Sequence, residues 1–285
     1  MMKASGVGYR RADSVEDALK ALADTGGAAR LLAGGQSLVA SLNLRLAGEV
    51  DLIDINGLSE LEGVSDLSDR IRVGALTRHQ ALERSALVAA AAPALAQAAP
   101  LIAHAAIRTR GTIGGSLAYA DPAAELPACV VALEGTIIAR STRGTRPIPA
   151  ELFFEGLFET ALAEDEMIEA VELPKAGPRE RQVVLELARR SGDYAIAGIV
   201  LRADAGGGRL SRCRIVYFGL GPIPVLARGA MAAIEAGDLD AAVAALKGDL
   251  DPPSDMLGSR AYRMQLAGVL LRRAAAQASQ EERAA

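Results

Sequence analysis

An α+β fold is what this sequence predicts, on three observations. Some segments place apolar residues at helical spacing and others hold short apolar blocks of strand length. The two kinds mix without the strict strand–helix–strand alternation of a parallel α/β protein. A polar stretch with Gly and Pro, Lys175-Ala176-Gly177-Pro178-Arg179, divides the chain, and a hairpin pattern follows it. No internal repeat of roughly 20–50 residues is present.

The elements follow in order. Ser14 is placed to cap a helix whose first turn holds Glu16 and Asp17, with Val15, Ala18, Leu19 and Leu22 on one face and Gly26-Gly27 at its end. Residues 30–33 read as a short buried strand, and Gly34-Gly35-Gln36-Ser37 as a tight turn. A second short helix then carries Leu38, Leu42 and Leu46 on one face. Residues 51–55 form a strand stopped by Asn56-Gly57, and residues 71–75 another. Thr77 with Gln80 matches a capping box, so a helix is expected from there, with Ala-rich helices continuing to about residue 106. Residues 130–138 read as strand around a turn at Glu134-Gly135, and residues 167–173 as a strand ended by Pro174. In the hairpin, residues 197–202 and 213–218 are the two strands and Gly206-Gly207-Gly208 lies in the turn. Further helices close the chain, the last over about 258–278 with Tyr262, Leu266, Val269 and Leu270 on its apolar face. A frayed tail is expected from about Gln277.

Composition narrows the function. The 285 residues are 51% hydrophobic and 23% charged, with 31 Lys and Arg against 35 Asp and Glu, a net charge of −4. That length suits one large domain or two modest ones. The apolar fraction excludes disorder, and the acidic balance argues against a nucleic-acid partner. Two cysteines, Cys129 and Cys213, are too few for a disulfide framework or an iron–sulfur cluster. Only His79 and His104 are present, which excludes a His-rich metal site. The first ten residues lack the apolar core of a signal peptide, and no run of about 20 apolar residues is long enough to span a membrane. A soluble cytoplasmic protein is expected.

Three segments can carry chemistry. Ala33-Gly34-Gly35-Gln36-Ser37 joins a strand to a helix. Its glycines allow close backbone approach, and the helix start offers N–H groups to an anion such as phosphate. The same segment is also compatible with an ordinary strand–helix turn. Gly111-Thr112-Ile113-Gly114-Gly115-Ser116 repeats the pattern after Arg108 and Arg110, and can hold the other half of a diphosphate or be a plain flexible loop. Asp121-Pro122-Ala123-Ala124-Glu125 offers carboxylates to ribose hydroxyls; it is equally helix-start chemistry, with Asp121 at the cap and Pro122 in the first position. Neither glycine pair is a P-loop, because no Gly-Lys-Ser/Thr follows, and Gly219-Leu220-Gly221-Pro222 holds only half of a dinucleotide fingerprint.

Taken together, Ala33-Gly34-Gly35-Gln36-Ser37-Leu38, Thr112-Ile113-Gly114-Gly115-Ser116-Leu117 and Ala120-Asp121-Pro122-Ala123-Ala124-Glu125-Leu126-Pro127 resemble the FAD-binding subunit of the molybdenum hydroxylases. The likeness is to the medium subunit of the carbon monoxide dehydrogenase type, a module that xanthine dehydrogenase carries inside a longer chain. The segments around Arg189-Arg190-Ser191-Gly192-Asp193-Tyr194-Ala195 and Phe218-Gly219-Leu220-Gly221-Pro222 resemble that family's C-terminal domain.

The resemblance implies a two-part FAD domain of the vanillyl-alcohol-oxidase (PCMH) type over residues 1–177, split into about 1–57 and 58–177. A smaller α/β domain with a three-to-four-stranded antiparallel sheet and helices then occupies residues 178–285. It implies a diphosphate between the two glycine turns, held mostly by backbone N–H groups of Ala33, Gly34, Gly35, Gln36 and Ser37 and of Thr112, Ile113, Gly114, Gly115 and Ser116, with Leu32 and Leu38 also at the cofactor. Glu125, with Asp121 close by, is implied at the nucleotide half, Ile168 in the flavin or adenine pocket and Tyr194 near the isoalloxazine. Two departures stand out: Tyr119 where many relatives have His, and Glu186 where several have Lys. FAD is the expected cofactor, with molybdopterin on a large partner subunit and two 2Fe–2S clusters on a small one, in a dimer of heterotrimers. Electrons would enter from the clusters and leave to an external acceptor, and no catalytic or metal-binding residue is expected in this chain. His79 is expected at the surface or the flavin edge, His104 packed in an Ala-rich helix, Cys129 in the core and Arg189-Arg190 in a structural or interfacial role. A self-contained flavin oxidase is the competing reading, but the residues after Gly177 are few for a substrate domain and include no His. A nucleotide-binding protein that had lost flavin is the third, and the intact glycine motifs argue against it.

Overall fold

Ser14 starts the first helix as its sequence requires: its hydroxyl oxygen accepts the Asp17 N–H at 3.1 Å. The computed structural model describes residues 7–46, 48 and 50–280. Helix α1 (Val15–Asp24) buries Val15, Ala18, Leu19, Ala21 and Leu22 and is followed by Gly26 and Gly27 at positive φ. It packs on a parallel sheet of β1 (Tyr9–Arg11), β2 (Ala29–Leu32) and β3 (Asp51–Asp54), with β3 in the middle. Between β2 and β3 lies α2 (Leu38–Asn43), in which only Leu42 is buried. Leu46 lies past its end and is 76% exposed, so the expected Leu38–Leu42–Leu46 face is not formed.

The second part is a five-stranded antiparallel sheet in the order β4 (Val64–Asp66), β5 (Arg70–Gly74), β10 (Met167–Pro174), β6 (Thr136–Ser141), β7 (Gly144–Pro149). Six helices connect β5 to β6: α3 (His79–Arg84), α4 (Ala86–Ala91), α5 (Pro93–Ala98), α6 (Ala105–Arg108), α7 (Ile113–Tyr119) and α8 (Glu125–Ala132). A small hairpin, β8 (Phe154–Gly156) with β9 (Glu159–Thr160), precedes β10. Three expectations are corrected here. Residues 130–132 end α8, because all eight of its residues are buried and an apolar run alone does not separate a buried helix from a strand. Thr77 does not cap α3: its hydroxyl donates to Gly63 O at 2.9 Å and accepts the Gly63 N–H at 3.0 Å. His104 is an exposed residue before α6, not a packed one within a helix.

The third part is the antiparallel sheet β11 (Glu180–Leu187), β12 (Ala197–Gly206), β13 (Arg209–Phe218), β14 (Val225–Leu226), covered on one face by α9 (Arg228–Glu235), α10 (Leu239–Asp249) and α11 (Arg260–Gln280). The buried face of α11 runs through Arg263, Ala267, Leu270, Leu271 and Ala274, while Tyr262 is exposed. Residues 277–280 continue the helix instead of fraying; residues 281–285 of the expected tail lie outside the described residues. The other sheet face, through Val200, Val216 and Phe218, joins the core of the second part. Gln182 Oε1 accepts the Ala94 N–H at 2.8 Å and Gln97 Oε1 the Val184 N–H at 3.0 Å. Arg214 pairs with Glu151 at 3.0 Å across the same seam, and Gly219 N–H donates to Pro122 O at 2.7 Å. These bonds bring the hairpin domain against the start of α8. Among the described residues no helix is long and apolar enough to cross a membrane.

Candidate functional site

The two glycine turns touch. A Cβ on Gly34 would overlap the Arg110 carbonyl oxygen and stand 2.9 Å from Gly111 Cα, so only glycine lets the β2–α2 turn lie on the chain before α7. Gly35 takes φ +70°, a region that side chains with a Cβ rarely adopt. Two side chains lock the contact. Asn56, just past β3, donates through Nδ2 to Ala33 O at 2.7 Å and Leu32 O at 3.2 Å. Arg78 donates through Nη2 to Asn56 Oδ1 at 2.9 Å and through Nη1 to Arg110 O at 2.6 Å. The Gln36 amide folds back on Gly34 O at 3.1 Å. The N–H groups of Gly35, Gln36, Ser37 and Leu38 donate no hydrogen bond among the described residues. Four successive free donors on a turn fixed from behind form an anion cradle. Ser37 makes no cap bond, which leaves its hydroxyl free of that role.

The second turn works differently from its sequence reading. The Ile113 N–H is taken by Thr77 O at 3.1 Å, Gly114 N–H by Ala75 O at 2.8 Å, Gly115 N–H by Thr112 Oγ1 at 3.1 Å and Ser116 N–H by Thr112 O at 3.0 Å. Gly114 is there for packing, since a Cβ would stand 2.6 Å from Ala75 Cβ. Backbone donation therefore falls on the first turn, while Gly115 and Ser116 present a bare backbone face and a hydroxyl at the surface. Helix α7 has seven residues and α2 six, so their dipoles add little to those bonded or free N–H groups.

His79 is buried at 6% exposure directly under Gly111, and its own N–H donates to Gly111 O at 2.9 Å. It is not at the surface. Both ring nitrogens lack partners, and burial pushes its pKa down to about 4. The neutral ring is a spacer beneath the cradle. An unfolded His titrates near 6.5, so the folded state resists a proton that the unfolded state takes, and stability falls as pH drops from about 6.5 toward 4. In His79→Leu this acid-side loss should flatten, by up to about 1.4 kcal/mol per pH unit over that window. Melting curves at pH 7 and pH 5 measure it, and an unchanged slope would refute the buried neutral ring.

The acids and aromatics gather at the other end. Asp121 accepts the Ala123 N–H at 2.9 Å and closes a turn, so it is not the cap of α8, which starts at Glu125 after Ala124. Burial raises its pKa. Glu125 is 8% exposed, and burial, with Glu186 and Asp121 nearby, pushes its carboxyl up to about 8. Tyr194 is exposed; desolvation of its hydroxyl, followed by Asp121, Tyr119 and Glu125, raises its pKa. The Tyr119 ring meets Phe158 at 5.1 Å. The loop carrying Tyr194 crosses His104, whose ring a Cβ on Gly192 would meet at 2.8 Å. Ile168 is 5% exposed inside the five-stranded sheet beside a bulge. Cys129 and Cys213 are buried free thiols, and burial pushes Cys213 up to about 12. Among the described residues no group of His, Cys, Asp and Glu could hold a metal ion. Sequence reasoning missed Asn56 and Arg78; the signal available was their place just after a strand and just before the helix under the second turn.

Comparison with known proteins bears on this geometry. Residues 4–176 match the family described as "FAD binding domain in molybdopterin dehydrogenase", and residues 183–278 match "CO dehydrogenase flavoprotein C-terminal domain". The chain is 39% identical to the 6-hydroxypseudooxynicotine dehydrogenase complex subunit alpha of Paenarthrobacter nicotinovorans over 97% of this chain and 96% of that one. It is 33% identical to the carbon monoxide dehydrogenase medium chain of Hydrogenophaga pseudoflava, over 93% of this chain and 94% of that one. A solved chain of reconstituted CO dehydrogenase from Oligotropha carboxidovorans superposes with a TM-score of 0.94 at 31% identity, covering 98% of this chain and 99% of that one.

Proposed function

The chain belongs to the FAD-binding medium subunits of the molybdenum hydroxylase family, and from that premise we propose how its residues serve the complex. It is an oxidoreductase subunit whose cofactor is FAD. The observation that carries the site is the run of free N–H groups from Gly35 to Leu38, locked against Arg110 through Asn56 and Arg78. A diphosphate fits such a cradle, with Leu32 and Ala33 as its rear wall and Thr112, Ile113, Gly114, Gly115 and Ser116 as the facing turn. Asp121, with Glu125 behind it, faces the nucleotide half; Ile168 packs the pocket wall and Tyr194 covers the ring end. Bound FAD supplies the redox chemistry, and the protein supplies position and electrostatics.

The chain works as the middle member of a multi-subunit enzyme, as its relatives do. In our reading a large subunit with molybdopterin oxidises the substrate, and a small subunit with two 2Fe–2S clusters relays electrons to this chain. An external acceptor takes them, in a cytoplasmic dimer of heterotrimers. Residues 1–177 form the cofactor-binding unit in parts of about 1–57 and 58–177, and residues 178–285 the unit docked on it. The test is purification alone and with co-expressed partners, followed by acid release of cofactor. Free FAD in the supernatant and capture of both partners are expected. A chain that stays colourless with added FAD would overturn the cradle. Substrate oxidation by the chain alone would instead favour a self-contained oxidase.

A further inference from the structure

The lock on the first glycine turn does not end at Asn56. Asp54 closes β3, and its Oδ1 accepts two hydrogen bonds from Asn56, the backbone N–H at 2.9 Å and the side-chain Nδ2 at 2.8 Å. Its other oxygen, Oδ2, accepts the Tyr9 hydroxyl at 2.6 Å. Tyr9 stands on β1, which runs parallel to β3 and pairs with it. An unbroken chain of hydrogen bonds therefore leads from Tyr9 through Asp54 to Asn56. There it divides, one branch reaching Ala33 O and the other passing through Arg78 to Arg110 O.

The orientation of the Asn56 amide decides whether both branches exist. Its nitrogen end serves Asp54 Oδ1 and the carbonyls of Ala33 and Leu32, and its oxygen end receives Arg78. Turned over, the amide oxygen would face three acceptors and the NH2 group would face a guanidinium. Among those three acceptors only Asp54 carries a full charge, and bonds to a charged acceptor are roughly twice as strong as neutral ones. Asp54 also holds the backbone N–H of the same residue, so it fixes Asn56 at the main chain and at the amide together.

A second use for the Asp54 charge lies close by. The Arg11 guanidinium rests on Gly57, where an added Cβ would meet Nη2 at 2.8 Å. Arg11 and Asp54 make no ion pair among the described residues, whereas Asn56 is bonded to Asp54 twice. Across β2 the residue opposite Asp54 is Leu32, which brings no charge.

We propose that Asp54 is a positioning residue for the cofactor cradle: its carboxylate, oriented by Tyr9, holds Asn56 in the conformation that ties Ala33 to Arg78, and so keeps the N–H groups of Gly35 to Leu38 in place for the FAD diphosphate. The inference rests on the FAD reading above. Asp54 gives no bond to the cradle donors themselves and acts through Asn56.

Fluorescence titration of the full-length, cofactor-stripped chain with FAD at pH 7 tests it. Asp54→Ala should weaken binding about tenfold, the effect of losing one charge-assisted bond. Asp54→Asn leaves a neutral acceptor in the same place and should stay within about threefold of wild type. Asp54→Glu keeps the charge but displaces the acceptor by a methylene, and should bind about as weakly as Asp54→Ala. In an Asn56→Ala background, Asp54→Ala should add no more than about a twofold loss, because the path is already cut. The Asn and Glu variants decide the matter even where Asp54→Ala folds poorly. Asp54→Asn as weak as Asp54→Ala would give the charge to Arg11 and overturn the positioning role. Losses that simply multiply in the double variant would overturn it too, and in both cases FAD binding by the wild-type chain leaves the functional reading standing. No FAD binding by the wild-type chain overturns that reading, and this inference with it.

Discussion

Gly34→Ala should yield a folded chain that has lost most of its hold on FAD. The added methyl would overlap the Arg110 carbonyl oxygen and crowd Arg110 C and Gly111 Cα at 2.9 Å. These are backbone atoms on a segment pinned by Arg78, so they cannot swing aside as a flexible side chain would. Forcing a methyl into such a contact costs about 1–3 kcal/mol. The turns part to relieve it, and FAD affinity falls on the order of 10- to 100-fold. Two controls separate causes. Gly35→Ala meets no backbone atom within 4 Å, only Val39 and Leu32 side chains, and suffers mainly from its φ of +70°, so a loss of about 1 kcal/mol is expected. Gly26→Ala has a similar φ with open space around it and should leave FAD binding unchanged. Fluorescence titration of the stripped chains measures all three. Wild-type affinity in Gly34→Ala would mean that the turns do not touch in solution.

Arg263→Met should be the most destabilising of the substitutions discussed here. The guanidinium is 3% exposed and donates to Ile196 O at 2.5 Å and Gly219 O at 2.8 Å, and to both Asp255 oxygens at 2.8 and 2.7 Å. Methionine fills the volume but strands the Ile196 and Gly219 carbonyls. Removing the charged donor from two enclosed carbonyls costs about 1–3 kcal/mol, Asp255 adds little because it is 45% exposed, and the melting temperature falls by about 5 °C at this size. There is an acid-side signature as well. The hydrogen bonds from Arg263 hold the Asp255 carboxyl below its ordinary range. Its contribution is therefore present above about pH 4 and lost as pH falls below that value. That loss should be smaller in Arg263→Met, where only the Leu257 and Gly258 N–H groups still hold the carboxyl down. Thermal melts from pH 7 to pH 3 measure both effects, and a melting temperature within about 2 °C of wild type would refute the role.

Much of this was legible in the residues. Ser14, the hairpin over residues 197–218 and the two glycine turns carry local signals whose physics needs no distant partner. The FAD assignment rested on motif resemblance, and the family matches agree with it. What stayed hidden depends on contacts far apart in sequence. Thr77 matched a capping box, but a strand-end carbonyl at Gly63 competed for its hydroxyl. Residues 130–132 looked like strand because a fully buried helix has no polar face. The second glycine turn resembled the first, yet Thr77 O and Ala75 O, from a distant segment, occupy its N–H groups. Arg263 broke the expected apolar face of the last helix, and its purpose becomes visible only with Ile196 and Gly219 beside it.

The tie from Arg78 through Asn56 to Ala33 also sets a timetable for the nascent chain. The first turn leaves the ribosome long before the segment at Arg110 against which it must rest, and β11 with the loop bearing Tyr194 comes later still. On the proposed site, cofactor capture should wait at least until Arg110 has emerged and the first turn rests on it. Flavin starvation should then leave a folded but looser apoprotein, open to rescue after translation, because a ligand that binds only the finished fold stabilises it by mass action.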